Sequence, residues 1–330
     1  MTVDLSIVVP VLNEQESVAC FVDAVTPIVE SLGLRYEIIF IDDGSTDATA
    51  DIVCGLQRND PHIRLIRLSR NFGKEAALTA GLDFSTGAAV VPMDVDLQDP
   101  PSLLCEMVAR WREGYDIAFG QRVERRSDTG TKRVTAGLFY RVFNSISGHP
   151  IDANAGDFRL MSRAAVDATL VLRERNRFMK GLFAWVGFRS IAVPYERPAR
   201  VAGTTKFNYW KLWNFALDGI TSFSTAPLKI WTYVGGSVAL IALIYTAVIV
   251  AQTLIFGRDV PGYASLMVVI LVLGAVQLMS LGIIGEYLGR MYMETKQRPI
   301  YLVKDTAGFP PSQDRADGQF VPRDAVRAAE

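Results

Sequence analysis

AAVVPMDVDLQDPP, residues 88–101, is an apolar run that closes on two carboxylates, Asp94 and Asp96, with one residue between them. The apolar half reads as a buried strand, and acidic side chains just past its end make a site for a hard cation. Mg2+ and Mn2+ prefer such oxygen ligands and usually share them with the phosphates of a substrate. On its own Asp-X-Asp is also a common solvated turn, so its surroundings decide the reading.

Outward from this stretch the same unit recurs. SIVVPVL (6–12), YEIIFID (36–42), IRLIRL (63–68) and YDIAFG (115–120) read as further strands, with helices over 15–32, 46–58, 74–84 and 100–113. Strand–helix alternation at this spacing predicts an α/β fold with a mostly parallel sheet covered on both faces. Ligands of such sheets sit at the carboxyl ends of the strands. Those ends carry Asn13 and Glu14, then Asp42 and Asp43, then Arg70 and Asn71, then Asp94 and Asp96, a polar rim. Past residue 130 the pattern loosens into a helix over 131–147, a strand at 157–161, a helix over 163–173 and a strand at 190–195.

The 330 residues carry a net charge of −1, which argues against a general nucleic-acid binder. Cys20, Cys54 and Cys105 are odd in number and far apart, and read as free thiols of a reducing compartment. With His62 and His149 as the only histidines, a histidine-rich metal centre is excluded. No secretory signal is visible in MTVDLSIVVP, which enters a strand pattern directly.

Hydrophobic residues make up 50% of the chain, and the excess is concentrated near the end. Residues 230–257 and 260–285 carry no charged side chain, and about 20 apolar residues suffice to span a bilayer. They read as two transmembrane helices, at about 230–257 and 262–288, within 229–289. Lys206, Lys211 and Lys229 precede the first span and Arg290, Lys296, Arg298 and Lys304 follow the second, against Arg258 alone between them. This asymmetry predicts that both termini, and with them the α/β domain, lie on the cytoplasmic side of the plasma (inner) membrane. Residues 204–228 interleave aromatics with lysines and read as amphipathic helices lying in the interface, or as an ordinary amphipathic core helix. An α/β domain over 1–203 and a tail over 290–330, disordered from about 305, complete the division. Gly285 and Gly289 leave helix–helix association, and so a homo-oligomer, open.

Neither GxGxxG nor GxxxxGK[ST] occurs, so phosphate must be held through a metal and side chains. Asp42 and Asp43 are placed to accept from a base or ribose, although the turn they enter also needs a helix cap. VVPVLNE (8–14), DDGSTD (42–47) and MDVDLQDPP (93–101) resemble the nucleotide-sugar domain of glycosyltransferase family 2, with its GT-A fold. GDFRL (156–160), RNRFMKGLFAWVGF (175–188), RPARVAGTTKFNYWKL (197–212) and the two apolar spans resemble its polyprenyl-phosphate branch. That branch includes bacterial undecaprenyl-phosphate (bactoprenol) glucosyltransferases and dolichol-phosphate mannose synthases.

The resemblance implies a nucleotide-sugar pocket of Pro10, Asn13, Glu14, Asp42, Asp43, Asp94 and Gln98, and a Mg2+ or Mn2+ ion on Asp94 and Asp96. Asp96 and Asp157 would be catalytic, Asp157 facing the acceptor as a base or as an orienting group. Arg122, Arg133, Arg200 and Lys206 would receive the phosphate of a lipid. It further implies an inverting transfer of one hexose, glucose from UDP-glucose being favoured, onto undecaprenyl phosphate. Galactose, mannose, N-acetylglucosamine or 4-amino-arabinose donors would need a similar diphosphate grip. The QxxRW of processive relatives is absent: Arg110–Trp111 is preceded by Met107 and lies too early. Two other classes compete on the residues alone. A sugar-1-phosphate nucleotidyltransferase needs a Gly-rich basic loop, which residues 8–16 lack. A non-enzymatic scaffold or flippase subunit would leave the acidic rim without a purpose.

Overall fold

The computed structural model describes residues 3–122, 155–175, 177, 179–195, 226–256 and 262–309. The chain divides into two compact units, residues 1–209 with 299–330, and residues 210–298.

The first unit is built on one eight-stranded sheet, in the order β7-β5-β6-β4-β1-β2-β3-β8. Its centre is parallel: β1 (Leu5–Val11) pairs with β2 (Tyr36–Asp42) on one side and β4 (Ala89–Pro92) on the other, and β2 continues to β3 (Ile63–Leu68). Every residue of β2 and β4 is buried, as a sheet with both faces covered requires. β6 (Ala155–Ser162) runs antiparallel between β4 and β5 (Ile117–Arg122), and β7 (Ser190–Tyr195) lies parallel to β5 at the edge. This is the mostly parallel sheet that the strand–helix alternation predicts, in the Rossmann-like GT-A arrangement that the resemblance implies.

Helices α1 (Val18–Ser31), α2 (Thr49–Asn59), α3 (Lys74–Phe84) and α4 (Leu103–Arg112) make the crossovers. In α1 the buried residues Val18, Phe21, Val25 and Val29 recur at three- to four-residue spacing, so one stripe meets the sheet. α3 has no such stripe. Residues 76–82 are all buried, because α3 lies between the sheet and α5 (Arg163–Val171). Its approach is close enough that a Cβ on Gly81 would collide with Val8 Cγ1. Beneath the sheet, the buried Glu37 carboxylate accepts from Ser6 Oγ and from the Thr86 amide and hydroxyl, and pairs with Arg64.

Two elements differ from the sequence expectation. A short helix, α6 (Met179–Trp185), occupies part of the 175–188 stretch. The tail expected to be structureless from about 305 instead forms β8 (Val303–Ala307), antiparallel to β3, and remains described through Phe309. An open edge at β3 presents unpaired N–H and C=O groups, and this five-residue stretch satisfies them, with Arg67 and Asp305 pairing across the two strands. Tyr301 is buried ahead of it and donates to Asp83 Oδ2 at 2.7 Å, while Arg173 holds the same carboxylate with both terminal nitrogens. Phe309 packs edge-on against Phe84 and lies under the Arg64 guanidinium.

The second unit contains α7 (Ala226–Phe256) and α8 (Tyr263–Thr295), which touch each other. Both are long and apolar enough to cross a membrane, over Tyr233–Gln252 and Ser265–Thr295. Glu286 and Arg290 pair across one turn of α8. The 131–147 helix and nearly all of the 204–228 interfacial segment fall outside the described residues.

Candidate active site

From β1 the chain steps through β2 to β3, then returns to place β4 on the opposite side of β1. Strand order reverses between β1 and β4, and a crevice must open at their carboxyl ends. A cleft of about 280 Å³ lies there, lined by Pro10, Val11, Leu12 and Glu14 after β1, Asp94, Val95 and Asp96 after β4, and Asp43, Asn71, Gly73, Lys74 and Ala77.

The acidic pair forms one wall. Asp96 is exposed, and its carboxylate accepts from both the backbone and the side-chain amide of Gln98, the latter at 2.5 Å. Between them Leu97 adopts φ +52, a left-handed conformation uncommon outside glycine. Its side chain packs against the hydrophobic core, which holds the turn in place. Gln98 thus serves Asp96 and does not line the cleft. Two carboxylates at a strand end, Asp96 exposed and Asp94 partly so, are a fitting but incomplete donor set for Mg2+ or Mn2+. Among the described residues no third His, Cys, Asp or Glu joins them. Phosphate oxygens or water would have to complete the shell.

The β1 and β2 loops form the opposite wall by holding each other. Asn13, at φ +54, donates its amide to Ser45 Oγ and accepts from Thr46 N–H. The Glu14 amide donates to Thr49 Oγ1, and its carboxylate accepts from Ser17. Asp42 and Asp43 diverge. Asp42 is 2% exposed, lies off the cleft, and accepts the Ser45 amide as a cap of the turn. Asp43 lines the cleft and accepts the amides of Phe72 and Gly73 at 2.7 and 2.9 Å. Burial pushes the Asp43 carboxyl above the usual carboxylate range, and the two amides oppose that shift. The expected nucleotide residues therefore separate: Pro10, Glu14, Asp43 and Asp94 face the cleft, while Asn13, Asp42 and Gln98 fix its loops.

Sequence reasoning assigned no role to Lys74, which the structure puts at the centre. Its ammonium lies 2.7 Å from Asp94 Oδ1 and 2.8 Å from Oδ2. A signal was present: Lys74 opens α3, where a cation opposes the helix dipole unless an anion meets it. Gly73 ahead of it takes φ +99, and the first turn of α3 lines the cleft with Lys74 and Ala77.

Asp157 lies on β6, which borders β4, and Arg122 ends β5; their side chains fall outside what is described. Arg133, Arg200 and Lys206 also lie outside the described residues. One link across the sheet is visible: Tyr195, the last residue of β7, donates to Asp99 at 2.5 Å and so ties the acidic loop to that strand. The Tyr195 ring lies against Gly120, where a Cβ would come within 2.9 Å of it.

The model of glycosyl transferase family 2 matches residues 6–170, and that of the GtrB C-terminal hairpin matches residues 226–291. An uncharacterized glycosyltransferase of Synechocystis sp. is 52% identical over 309 residues, covering 94% of this chain and 97% of its own. The prophage bactoprenol glucosyl transferase homolog of Escherichia coli K12 is 50% identical over 300 residues, 91% of this chain and 98% of its own. The bactoprenol glucosyl transferase of Shigella phage SfX gives the same figures, 50% over 300 residues, 91% and 98%. Among solved structures, glucosyl-3-phosphoglycerate synthase from Mycobacterium tuberculosis, in complex with Mn2+, UDP-glucose and phosphoglyceric acid, overlaps 66% of this chain and 78% of its own, with a TM-score of 0.45 and 21% identity.

Proposed function

The chain belongs to glycosyl transferase family 2, and from that membership we propose that it transfers one glucose from UDP-glucose to undecaprenyl phosphate, with inversion, at the cytoplasmic face of a membrane. The observation that carries this reading is the near-full-length likeness to bactoprenol glucosyl transferases, which extends through the closing hairpin. The acidic cleft at the β1–β4 switch point supports it from chemistry.

In this reading Asp94 and Asp96 hold the divalent ion, Mg2+ or Mn2+. When bound, that ion supplies Lewis-acid stabilisation of the departing diphosphate. Gln98 orients Asp96, and Pro10, Glu14 and Asp43 form the floor for the nucleoside. The first turn of α3 and Lys74 present positive charge to the diphosphate. The nucleophile is a lipid phosphate whose second pKa, about 6, leaves it largely dianionic at neutral pH. It therefore needs little help from a base. Asp157 serves the acceptor either as a base for the monoanion or as an orienting group. Arg122, Arg133, Arg200 and Lys206 offset repulsion between two anionic substrates, which would otherwise cost several kcal/mol in a partly dry cleft. The two long helices keep the enzyme in the bilayer with its acceptor, both termini on the donor's side.

The test is transfer of radiolabel from UDP-glucose into organic-extractable lipid, using purified protein and undecaprenyl phosphate. Label should appear with Mg2+ or Mn2+, vanish in excess chelator, and be lost in Asp94→Asn and Asp96→Asn. Full turnover in chelator would end the metal assignment. A panel of UDP- and GDP-sugars in the same assay checks glucose, and faster transfer of another sugar would replace it.

A further inference from the structure

The Lys74 ammonium is within hydrogen-bond distance of both oxygens of Asp94, the residue assigned to the divalent ion. One carboxylate cannot hold a lysine on both oxygens and a divalent ion at the same time without bringing like charges into contact. Lys74 is also on a long, half-exposed stem, 49% accessible, at the mouth of the same cleft. We propose that Lys74 is a resident counter-cation: it neutralises Asp94 in the donor-free enzyme and moves to the donor diphosphate when the divalent ion takes Asp94. The ion and the nucleotide then bind as a coupled pair. Each alone is penalised: the ion meets Lys74 on Asp94, and a diphosphate that draws Lys74 away leaves the acidic pair uncompensated beside it. This inference rests on the metal role of Asp94 given above and adds the order and coupling of binding.

The geometry supports the exchange. Lys74 is the first residue of α3, whose backbone is fixed by burial of residues 76–82, so only the flexible side chain has to move. Release from Asp94 leaves the ammonium at a helix start that already favours an anion. Because the pair is exposed, its competition with the ion is modest, about two- to fivefold in affinity. By linkage, the factor by which nucleotide tightens ion binding equals the factor by which the ion tightens nucleotide binding.

The experiment measures Mn2+ binding to the detergent-purified full chain by electron paramagnetic resonance, with and without UDP, and UDP binding by calorimetry, with and without Mn2+. In the wild type Mn2+ should bind weakly alone and more tightly with UDP. Lys74→Met should bind Mn2+ alone about two- to fivefold more tightly, bind UDP with Mn2+ more weakly, and show a smaller coupling factor. Lys74→Arg, which keeps the charge, should leave nucleotide-free Mn2+ binding weak. Unchanged or weaker Mn2+ binding in Lys74→Met, or tightening in Lys74→Arg, would overturn the exchange while leaving the metal site standing. No Mn2+ bound to the wild type even with saturating UDP would remove both the metal site and the exchange.

Discussion

Replacing Gly44 by alanine tests how the cleft is held. Gly44 sits at φ +77 between Asp43 and the turn, and an added Cβ would lie 2.7 Å from the Arg70 carbonyl carbon and 2.7 Å from the Asn71 nitrogen. Both are backbone atoms, so a side chain cannot swing aside to make room. Two costs combine: about 1 kcal/mol for a left-handed non-glycine residue and about 1–3 kcal/mol for overpacking. Gly33→Ala isolates the first, since Gly33 takes φ +64 with nothing within 4 Å of its Cβ. In a domain of this size each kcal/mol lowers Tm by roughly 2–4 °C. Gly33→Ala should therefore lose about 2–4 °C and Gly44→Ala about 4–16 °C in thermal unfolding of the detergent-purified protein. The displaced segment runs into Phe72 and Gly73, whose amides hold Asp43, and then Lys74. UDP affinity should fall in Gly44→Ala and hold in Gly33→Ala. Equal melting losses in the two variants, or unchanged UDP affinity in Gly44→Ala, would refute the claim that loop 70–74 leans on the Asp43–Gly44 turn.

Arg64→Met should cost about 3–5 kcal/mol by stranding the buried Glu37 carboxylate, and adding Glu37→Gln should recover much of it; denaturant unfolding of both variants checks this. Tyr195→Phe keeps the ring against Gly120 but deletes a bond to a carboxylate worth about 1.5–3 kcal/mol, so the Mn2+ concentration for half-maximal transfer should rise severalfold, and an unchanged value would detach Asp99 from the acidic loop's geometry. Burial, with the neighbouring Asp83 charge, raises the Tyr301 phenol well above its ordinary range. As pH climbs past about 10 the unfolded chain loses that proton and the folded one keeps it, so stability falls with rising pH. Tyr301→Phe should be less stable at pH 8 yet lose less between pH 9 and 11, and parallel Tm curves would contradict this.

The sheet was legible because burial writes itself into composition. IRLIRL and the stretch 74–84 coincide with β3 and α3, and the two uncharged runs with α7 and α8. β8 was not legible, since the main-chain pairing that joins Val-Lys-Asp-Thr-Ala to β3 leaves no side-chain pattern, and the Arg67–Asp305 pair unites charges 238 residues apart. The acidic pair could be read from type and spacing, yet not the division of labour between Asp42 and Asp43. Adjacent strand residues point to opposite faces, and only the register of the β3–α3 loop shows which one meets the cleft. Leu97 could not be foreseen either, because its left-handed turn is imposed by the core contact of its side chain.

Because β8 follows the two long helices yet completes the sheet that β1 begins, the apolar pair is an insertion within a domain and not an appendage to it. A catalytic fragment cut ahead of Ala226 would lose Tyr301 from Asp83, Phe309 from Phe84 and the outer neighbour of β3. Such a fragment would present a sticky border and self-associate. A version without the helices has to keep Pro299–Phe309 joined to the sheet domain.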